Sequence, residues 1–422
     1  MNLFLHGHAT HPDARIALGL AAAQIEAQRH ARVGSCKPTL GWVYLTDHFA
    51  AQAQSLLSDL HQRWPGVAWV GASGVGIAAS GVEYFDEPAL ALMLCELPPE
   101  QFRVFSGAQP LAGFAAYTAQ VHADPATADL PELIHDMSAR TQAGYVFGGL
   151  ASGRSRTLHI ADGVLSGGLS GVAFGPRVAL LSRVTQGCQP VGPLRRVTGV
   201  ERNAVTTLDG EPALDCLLRD LNLEGVELRA ALPKLRQILV GLNDAPDEVQ
   251  GAPAATRRHA FDSLTRRGAF GADTRVRHLI GLDPGRRGIA IGDTVEAGMQ
   301  LAFCTRDVEA ARRDLTRICA ELREETEPEA LPEDTALAMK AALPGVLSGA
   351  PARAGNGGIA GAIYVSCTGR GGPHFGAPSA ELSLIRHALG DVPLVGFFAA
   401  GEIAHRHLYG YTGVLTVFPR GA

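Results

Sequence analysis

The chain is long enough for two domains of ordinary size, with 422 residues of which 46% are apolar and 19% are charged. This balance supplies a large hydrophobic core and excludes a disordered chain. The formal net charge of −5 gives no electrostatic basis for binding nucleic acid or an anionic membrane surface. We therefore expect a folded protein that does not bind nucleic acid.

The distribution of apolar residues and cysteines predicts a cytoplasmic protein without membrane insertion. The first residues lack a basic segment followed by an apolar one, and the longest apolar run is far shorter than a membrane span. Seven cysteines without CxxC or zinc-type spacing stand at positions 36, 95, 188, 216, 304, 319 and 367. Most lie in apolar runs, as reduced and buried thiols do. Cys188 and Cys367 are in loop-like contexts, where a reactive thiol is the alternative.

The beginning of the chain predicts strands that alternate with helices. Strands are expected at 2–5, 41–46 and 67–70, and helices at 12–29 and 48–64. Pro12 suits a first helical turn, and Asp47 can cap the second helix. Strand–helix alternation favours an α/β arrangement for this part.

The pattern then changes to short strands punctuated by glycine. They are expected at 89–97, 101–108, 144–150, 156–165, 169–175, 177–184 and 196–208, with one helix at 131–140. Consecutive strands without helices pair antiparallel. Later segments predict helices within 211–240, at 307–322 and after Ser379, and strands at 276–282, 289–291, 299–305, 362–367, 393–398 and 413–418. The fold class is therefore α+β or mixed α/β, with mixed, largely antiparallel sheets flanked by helices.

Three strand ends share a pattern of an apolar strand followed by glycine and small residues. They are WVGASGVG (69–76), YVFGGLASG (145–153) and LVGFFAAGEI (394–403). The first and last predict an internal duplication. The stretch 71–76 matches neither a nucleophile elbow nor a P-loop, but its backbone amides could hold an anion. Ser73, Gly74 and Gly76 are therefore candidate ligand-binding residues; the alternative is a tight strand exit.

The stretch 361–418 brings polar groups to strand ends. Glu402 follows an apolar strand and a glycine, where backbone can approach a ligand closely. Arg370 lies in a glycine-rich turn. Polar groups that converge in a cleft indicate a binding site. The candidates here are Glu402, Arg370, Gly369, Gly371, Gly401 and His374; the alternative is that Glu402 ties down its own turn or pairs with Arg406.

Several segments resemble the FIST domain family. They are WVGASGVGI (69–77), YVFGGLASG (145–153), QGCQPVGP (186–193), the segments 196–215 and 277–307, and the CTGRG loop followed by PLVGFFAAGEI. The resemblance covers nearly the whole chain and implies an N-terminal FIST-like domain at 1–208 and a C-terminal one at 209–422. It also implies a small-ligand-binding sensory module of bacterial-type signal transduction, with an amino acid or a similar metabolite as ligand. The chain has no kinase, methyl-acceptor or DNA-binding segment, so a separate signalling protein such as a kinase or cyclase is expected.

Two alternatives to this function stay open. Some family members bind haem and respond to nitric oxide, so the resemblance also implies a haem-based gas sensor, with His374, His405 or His407 as the axial ligand. A His-x-His pair on a strand would place both rings on one face, which suits a transition metal, but the sequence fixes no third ligand. We therefore predict no firm cofactor and no metal. The other alternative is an enzyme with Glu402 in a polar pocket, although no nucleophile, base and orienting acid stand at recognisable spacing.

Two structural expectations follow for the C-terminal half. Glu402 and Arg370 are predicted to line one pocket between the two domains, pairing with the ammonium and the carboxylate of an amino-acid-like ligand. Backbone amides of 71–76 or 369–372 would complete that pocket. Residues 322–358, rich in Glu, Pro, Ala and Gly, are predicted to be the most mobile internal segment.

Overall fold

The computed structural model describes residues 4–31, 37–202, 204–244, 274–327 and 358–420. Seven α-helices lie in these ranges: α1 Ala14–His30, α2 Ala53–Arg63, α3 Leu130–Ala139, α4 Ala213–Asp220, α5 Leu228–Leu235, α6 Val308–Thr326 and α7 Ala380–Leu389. The first thirteen strands are β1 Phe4–Thr10, β2 Leu40–Thr46, β3 Ala68–Gly74, β4 Gly76–Ala79, β5 Val82–Phe85, β6 Ala89–Cys95, β7 Phe102–Phe105, β8 Thr118–Ala123, β9 Val146–Leu150, β10 His159–Ala161, β11 Val164–Leu165, β12 Leu169–Phe174 and β13 Leu181–Gln186. The others are β14 Cys188–Pro190, β15 Arg195–Glu201, β16 Ala204–Leu208, β17 Glu211–Pro212, β18 Leu239–Asn243, β19 Arg275–Asp283, β20 Gly288–Ile291, β21 Gln300–Arg306, β22 Ile359–Cys367, β23 Leu394–Ala399, β24 Glu402–His405, β25 His407–Tyr409 and β26 Thr412–Pro419.

Three six-stranded sheets share one strand order. The orders are β1-β6-β2-β3-β10-β11, β7-β12-β8-β9-β24-β25 and β13-β26-β22-β23-β4-β5. In each sheet the third and fourth strands are parallel and are connected by a helix, which is α2, α3 or α7. Their outer neighbours pair antiparallel. The predicted class of mixed, largely antiparallel sheets with flanking helices is confirmed, and its repeating unit occurs three times.

The repeats exchange hairpins. The hairpin that follows the second parallel strand of each repeat joins the sheet of another repeat: β4 pairs with β23, β10 with β3 and β24 with β9. Each repeat gives one hairpin and receives one, so the three units close into a ring. The matching stretches 69–76 and 394–401 therefore occupy equivalent places, and 146–153 is the third member of the set.

The stretch 71–76 belongs to two strands rather than to a loop, which is closer to the alternative of a tight strand exit than to an anion-binding turn. Strand β3 continues through Gly74 and β4 begins at Gly76. The chain passes directly from the sheet of the first repeat into that of the third. The Ser73 N–H donates to the Leu158 carbonyl at 2.9 Å, and the Val75 N–H donates to the Ser152 hydroxyl at 2.9 Å. Glycine composition alone did not distinguish this crossing from a ligand-binding turn.

One glycine in each repeat permits close packing of the parallel pair. Gly71, Gly148 and Gly396 stand in register with Val43, Val121 and Tyr364 of the neighbouring strand. A Cβ atom at these glycines would lie only 1.8, 1.9 and 1.7 Å from the carbonyl oxygens of those partners. No side chain fits there, which explains the glycine that the three strand ends have in common.

The hydrophobic core has an inner part and outer layers. The inner faces of the three sheets share one buried cluster, which includes Trp42, Phe147 and Phe397. Helices cover the outer faces: α1 and α2 on the first sheet, α3 on the second, and α6 with α7 on the third. The strand ends of all three repeats are therefore held by one continuous core.

The third repeat carries a large insertion. In the first repeat, two residues separate the end of β1 at Thr10 from Asp13, whose carboxylate caps α1. In the third repeat, residues 187–306 occupy the corresponding gap between Gln186 and Asp307, which caps α6. The insertion forms the eight-stranded sheet β14–β21 with α4, α5 and its own core. Its ends are adjacent, since the Asp307 N–H donates to the Gly187 carbonyl at 3.1 Å.

Three predictions need further comment. The boundary near 209 falls inside the insertion, so the second and third sheets contain strands from both sides of it. Ser379 precedes α7, but its side chain makes no capping hydrogen bond and instead accepts the Glu83 N–H. The predicted mobile segment 322–358 begins within α6, which ends at Thr326. Its remainder, from 328 to 357, lies outside the described residues.

Candidate ligand-binding site

A cavity of about 510 Å³ lies where the insertion meets the third repeat. The insertion contributes Val276, Arg277, His278, Ile280, Gly292 and Arg306, and the repeat contributes Cys367, Thr368, Gly369, Ala400, Gly401, Leu408, Tyr409, Gly410 and Tyr411. Its size is typical of sites for small molecules. The cavity walls come from two structural units. Ligand sites commonly lie at such boundaries between units.

Arg306 and Tyr411 form the most distinctive part of the wall. The guanidinium carbon lies 4.0 Å from the centroid of the Tyr411 ring, a cation–π contact. The Tyr411 hydroxyl and Nε2 of His278 are 2.6 Å apart. Tyr411 holds this place with φ of +60°, a strained value for a non-glycine residue and one that concentrates at functional sites. Burial, and then the charge of Arg306, lowers the pKa of His278, which favours the neutral ring.

Arg277 ties the insertion to the third repeat. Its Nε lies 2.8 Å from Oδ2 of Asp293, and its Nη2 donates to the Leu408 carbonyl at 2.7 Å. Arg277 is therefore neutralised within the protein. Arg306 differs, because it forms no ion pair with any residue of the described ranges.

A buried ion pair lies beneath the cavity floor. Nε and Nη2 of Arg370 donate to Oε1 of Glu381 at 2.9 and 2.7 Å, and both side chains are 1% exposed. The hydroxyls of Tyr364 and Ser366 donate to the same carboxylate. Burying such a pair carries a large desolvation cost, which the additional hydrogen bonds offset. Nη1 of Arg370 has no hydrogen-bond partner in the described residues.

Glu402 is the first residue of β24 and is completely buried. Its Oε2 accepts hydrogen bonds from the backbone N–H and the hydroxyl of Thr412, at 3.1 and 2.7 Å. Its Oε1 has no hydrogen-bond partner among the described residues. Burial raises the pKa of Glu402 to about 8, and the hydrogen bonds from Thr412 and the charge of Arg370 only partly oppose this. The carboxyl is therefore mostly protonated at neutral pH.

The three-fold repeat shows what is special about this position. At the end of β2 the Thr46 hydroxyl accepts the Ala89 N–H at 2.9 Å. Counting from the matched glycines, Cys367 occupies the place of Thr46, and Thr412 occupies the place of Ala89. In the third repeat, Glu402 rather than Cys367 accepts the hydrogen bond from the backbone N–H of Thr412. The Cys367 side chain remains on the cavity wall. Burial, followed by the nearby Glu402, raises the pKa of Cys367 to about 12, so it is a neutral thiol.

The structure brings Glu402 and Arg370 together, but not as lining residues. The two interact electrostatically, yet both side chains are buried behind the cavity floor. Of the predicted site residues, Gly369 and Gly401 line the cavity. Arg370 was predicted to pair with a ligand carboxylate. In the structure its guanidinium forms an ion pair with Glu381 instead. The sequence shows Arg370 in a glycine-rich turn but does not show that the first turn of α7 faces inward.

The other predicted residues lie elsewhere. Those that line neither cavity described here are Ser73, Gly74, Gly76, Gly371 and His374. The Ser73 hydroxyl accepts the Leu158 N–H at 3.1 Å, within the sheet crossing. A Cβ atom on Gly76 or Gly371 would lie 2.4 or 2.2 Å from the Phe85 ring. These two glycines make room for an aromatic side chain rather than for a ligand.

A second cavity, of about 590 Å³, adjoins the first and shares three of its lining residues. Its walls come from α3, the insertion and the β24–β25 turn. They consist of Pro131, Glu132, His135, Asp136, Asp244, Arg275, Arg277, Gly292, Asp293, Thr294, Glu296, Met299, Arg406, His407 and Leu408. The second cavity is therefore lined by both acidic and basic side chains.

Neither of the two described cavities combines a candidate histidine with an apolar wall for haem. His405 ends β24 and His407 begins β25, so the two are not a pair on one face of a strand, in contrast to the prediction. His407 faces the charged second cavity, which does not suit an apolar macrocycle. His374 and His405 line neither cavity. Within the described ranges, no group of three or more His, Cys, Asp or Glu side chains could hold a metal ion.

Sequence reasoning missed Arg306, His278 and Tyr411. They come from β21, β19 and the β25–β26 turn, and only the fold brings them together. The segment 277–307 was noted for its family resemblance without any of its residues being singled out. The sequence does offer one signal for Tyr411, because this residue lies between Gly410 and Gly413, a pattern that suggests a constrained turn.

Comparison with known families agrees with this architecture. A FIST N domain matches residues 39–211, and a FIST C domain matches residues 213–405. The chain belongs to the FIST family. The resemblance predicted from the strand-end motifs is thus confirmed, and the two matches meet inside the insertion. FIST domains are sensory domains of signal transduction.

Mycobacterial relatives of this FIST protein match over almost their whole length. The uncharacterized protein Rv0628c of Mycobacterium tuberculosis is 30% identical over 430 residues, which covers 98% of each chain. The uncharacterized protein Mb0898c of Mycobacterium bovis is 31% identical over 438 residues, which covers 98% of this chain and 97% of the relative. In the described ranges, no helix is both long and apolar enough to cross a membrane.

Proposed function

We propose that this FIST protein is a sensory module that binds a small carboxylate-bearing metabolite, of which an amino acid is the simplest, in the cavity between the insertion and the third repeat. The observation that carries the proposal is the charge of the wall. It contains two arginines and no aspartate or glutamate among its described residues. Because Asp293 neutralises Arg277, Arg306 supplies the net positive charge.

Arg306 suits a carboxylate in both geometry and electrostatics. A planar guanidinium that stacks on an aromatic ring keeps its edge N–H groups free for a bidentate contact with a carboxylate. The Tyr411 ring fixes the plane of this group. Val276, Ile280 and Leu408 supply the apolar surface that such sites commonly have.

Glu402 and Arg370 act as positioning residues in this proposal. The Thr368 N–H donates to the Ala399 carbonyl and so joins the two floor segments, and the Arg370 backbone N–H closes the turn after β22 by donating to the Cys367 carbonyl. The Glu402 carboxyl fixes the start of β26 through Thr412, one residue after Tyr411. The buried network therefore determines where Tyr411, and through it Arg306, is placed.

Signal output follows from the position of the cavity. A ligand that touches both walls stabilises one orientation of the insertion relative to the repeats, since it binds that orientation more tightly. The insertion joins the repeats at the adjacent residues Gly187 and Asp307, which form a natural hinge. A separate signalling protein, such as a kinase or cyclase, would detect the new orientation.

A thermal-shift screen of the full chain tests this function. The twenty amino acids and related carboxylates are compared with amines of the same skeleton that lack the carboxylate. A true ligand at 100 times its Kd stabilises the protein by about 2.7 kcal/mol, and its decarboxylated counterpart should not. Arg306→Gln should weaken binding by about 1.5–3 kcal/mol, the scale of a hydrogen bond to a charged group.

Arg103→Gln is the matched control, because Arg103 also lies over an aromatic ring, that of Phe114, away from the cavity. This variant should bind as the wild type does. Equal loss in the two variants, or equal stabilisation by acids and amines, would contradict the proposed function.

A further inference from the structure

We infer that the preferred ligand is a short peptide with a free carboxyl terminus, bound in extended form along strand β25 and occupying both cavities. This rests on the proposed function and specifies its ligand class. The peptide carboxylate lies at Arg306, and the chain runs past Leu408 into the second cavity.

Strand β25 is a sheet edge that faces the cavities. It is the outermost strand of its sheet in the described residues. All three of its residues are lining residues: Tyr409 in the first cavity, His407 in the second, and Leu408 in both. A sheet edge that lines two adjoining cavities is an arrangement in which proteins can add a peptide as an extra strand.

The backbone of Leu408 is oriented for such a contact. His405 and Arg406 form the two-residue turn of the β24–β25 hairpin, and His405 has the positive φ, +55°, that tight hairpin turns use. The pair Ala404–His407 closes the turn, so the next pair, Ile403–Leu408, is the non-hydrogen-bonded kind.

The backbone groups of Leu408 therefore point away from β24. The contact of the Leu408 carbonyl with Arg277 at 2.7 Å agrees with this direction. The N–H of the same residue faces the same side, and in the described residues no partner is found for it. It is available to a peptide carbonyl.

Charge and length favour a peptide over a single amino acid. The second cavity adds about 590 Å³ to the first, which holds about 510 Å³. Glu132, Asp136 and Glu296 line the second cavity, and none of them forms an ion pair with a described residue. An extended chain rises about 3.3 Å per residue, so a tripeptide separates its carboxylate from its ammonium by several ångströms. Among the described residues, the first cavity carries Arg306 and no carboxylate, whereas the second carries Glu132, Asp136 and Glu296 beside Arg275 and Arg406. Acceptors for a peptide ammonium are therefore offered only by the second cavity.

A length series tests the inference with the full chain. Alanine, dialanine, trialanine and tetraalanine are titrated calorimetrically, together with C-terminally amidated and N-acetylated trialanine. Affinity should rise at least tenfold from alanine to trialanine. Amidation should remove at least tenfold, because it abolishes the Arg306 pair, and acetylation should remove less, because the ammonium contacts are more exposed.

A matched pair of variants tests the edge contact. Leu408→Pro removes the N–H, a change that edge strands tolerate where the N–H faces outward, whereas Leu408→Ala keeps it. Trialanine should bind about fivefold more weakly to Leu408→Pro than to Leu408→Ala, the effect of one lost hydrogen bond. Alanine should not distinguish the two. If Leu408→Pro does not fold, as judged by circular dichroism, the length series and the blocked peptides decide the question.

Two results would overturn the inference. Trialanine could bind no more tightly than alanine, or the blocked peptides could bind as tightly as the free one. If a single amino acid or another carboxylate still binds through Arg306, the proposed function stands and only the peptide inference fails. If no carboxylate binds, both fail.

Discussion

Glu402 is fully buried, and among the described residues one of its carboxyl oxygens has hydrogen-bond partners while no partner is found for the other. Oε2 stabilises the start of β26, because it accepts a hydrogen bond from the backbone N–H of Thr412, the first residue of that strand. The other oxygen is costly to bury as a charge, so the group keeps its proton to a higher pH than usual. A residue that first attracts notice as a possible ligand contact is therefore best understood as a structural element of the cavity floor.

This state of Glu402 predicts how stability depends on pH. Burial raises its folded pKa from 4.5 to about 8. Its stabilising contribution is complete below about pH 4.5, is lost as pH rises through the window from 4.5 to 8, and stays lost above it. Glu402→Gln cannot ionise and should avoid this loss, which is on the order of 5 kcal/mol. Urea unfolding of both proteins at pH 5, 6.5 and 8 measures the difference, with the exposed Glu100→Gln as control. Parallel pH profiles for the wild type and Glu402→Gln would contradict this assignment.

The ion pair of Arg370 and Glu381 predicts strongly non-additive mutations. Arg370→Met leaves a buried carboxylate without its partner and should cost about 3–5 kcal/mol. Arg370→Met combined with Glu381→Leu removes both charges and should recover most of that loss. Arg386→Met breaks an exposed pair with Asp391 and should cost less than about 1 kcal/mol. Chemical denaturation provides all three values; additive effects of the two buried substitutions would show that the pair is not coupled.

Sequence reasoning found Glu402 and Arg370 because each follows a glycine-rich strand end. It could not find the partner of Arg370, because a glutamate in the first turn of a helix is ordinarily exposed and favourable there for electrostatic reasons. Arg306 was missed for a different reason. Its role depends on Tyr411, more than one hundred positions away, and no local pattern records that contact.

At the scale of elements, one unit of two parallel strands, a connecting helix and a returning strand is used three times. The glycine in the second parallel strand of each unit is the sequence mark of this repeat, since a Cβ atom there would meet a backbone carbonyl. The hairpin that crosses to another sheet makes each unit dependent on its neighbours. These crossings are the reason that strand ends from three distant parts of the chain converge.

The repeat predicts that these glycines cannot be replaced by alanine. Gly396→Ala places a Cβ atom 1.7 Å from the Tyr364 carbonyl oxygen and should cost about 3 kcal/mol or more, because a strand has to move. Gly71→Ala and Gly148→Ala should behave alike. Gly19→Ala is the control, since it lies within α1 with nothing within 4 Å and should stabilise the protein by about 0.5–1 kcal/mol. Differential scanning calorimetry measures all four; a neutral Gly396→Ala would contradict the close approach.

The strands themselves were largely predictable, whereas their partners were not. Apolar runs identified β2, β3, β22 and β23, each of which contains a glycine. Pairing between β4 and β23 joins residues more than 300 positions apart, and nothing local to either strand specifies it. The second repeat was noticed only through its strand end at 145–153, because the strand pairing that defines the full unit is not visible in the sequence.

At the scale of the whole molecule, the insertion determines where a ligand can bind. Three similar repeats form a ring. In the described residues, only the third repeat has the connection between its first strand and the following helix expanded into the eight-stranded sheet. The repeat structure supplies rigid strand ends, and the insertion supplies a facing wall. That asymmetry explains why one strand end, rather than all three, forms the cavity with Arg306.

This architecture predicts that the insertion can be removed. Residues 187–306 are replaced by His-Pro, the dipeptide that links β1 to Asp13 in the first repeat. The shortened chain should unfold cooperatively, because its inner core lies in the three repeats, and it should lose ligand binding, because one wall is gone. Circular dichroism and calorimetry test the fold. A chain without a cooperative transition would show that the insertion is part of the folding unit.

The cavity itself is tested most directly by a crystal structure of the full chain with the best stabilising carboxylate bound. The proposed function predicts electron density between β19 and the ends of β22 and β23, with the ligand carboxylate about 2.7–2.9 Å from the Arg306 guanidinium, the distance of a charge-assisted hydrogen bond. A ligand bound away from this cavity, for example at the β3–β4 crossing near Gly74, would contradict the central claim.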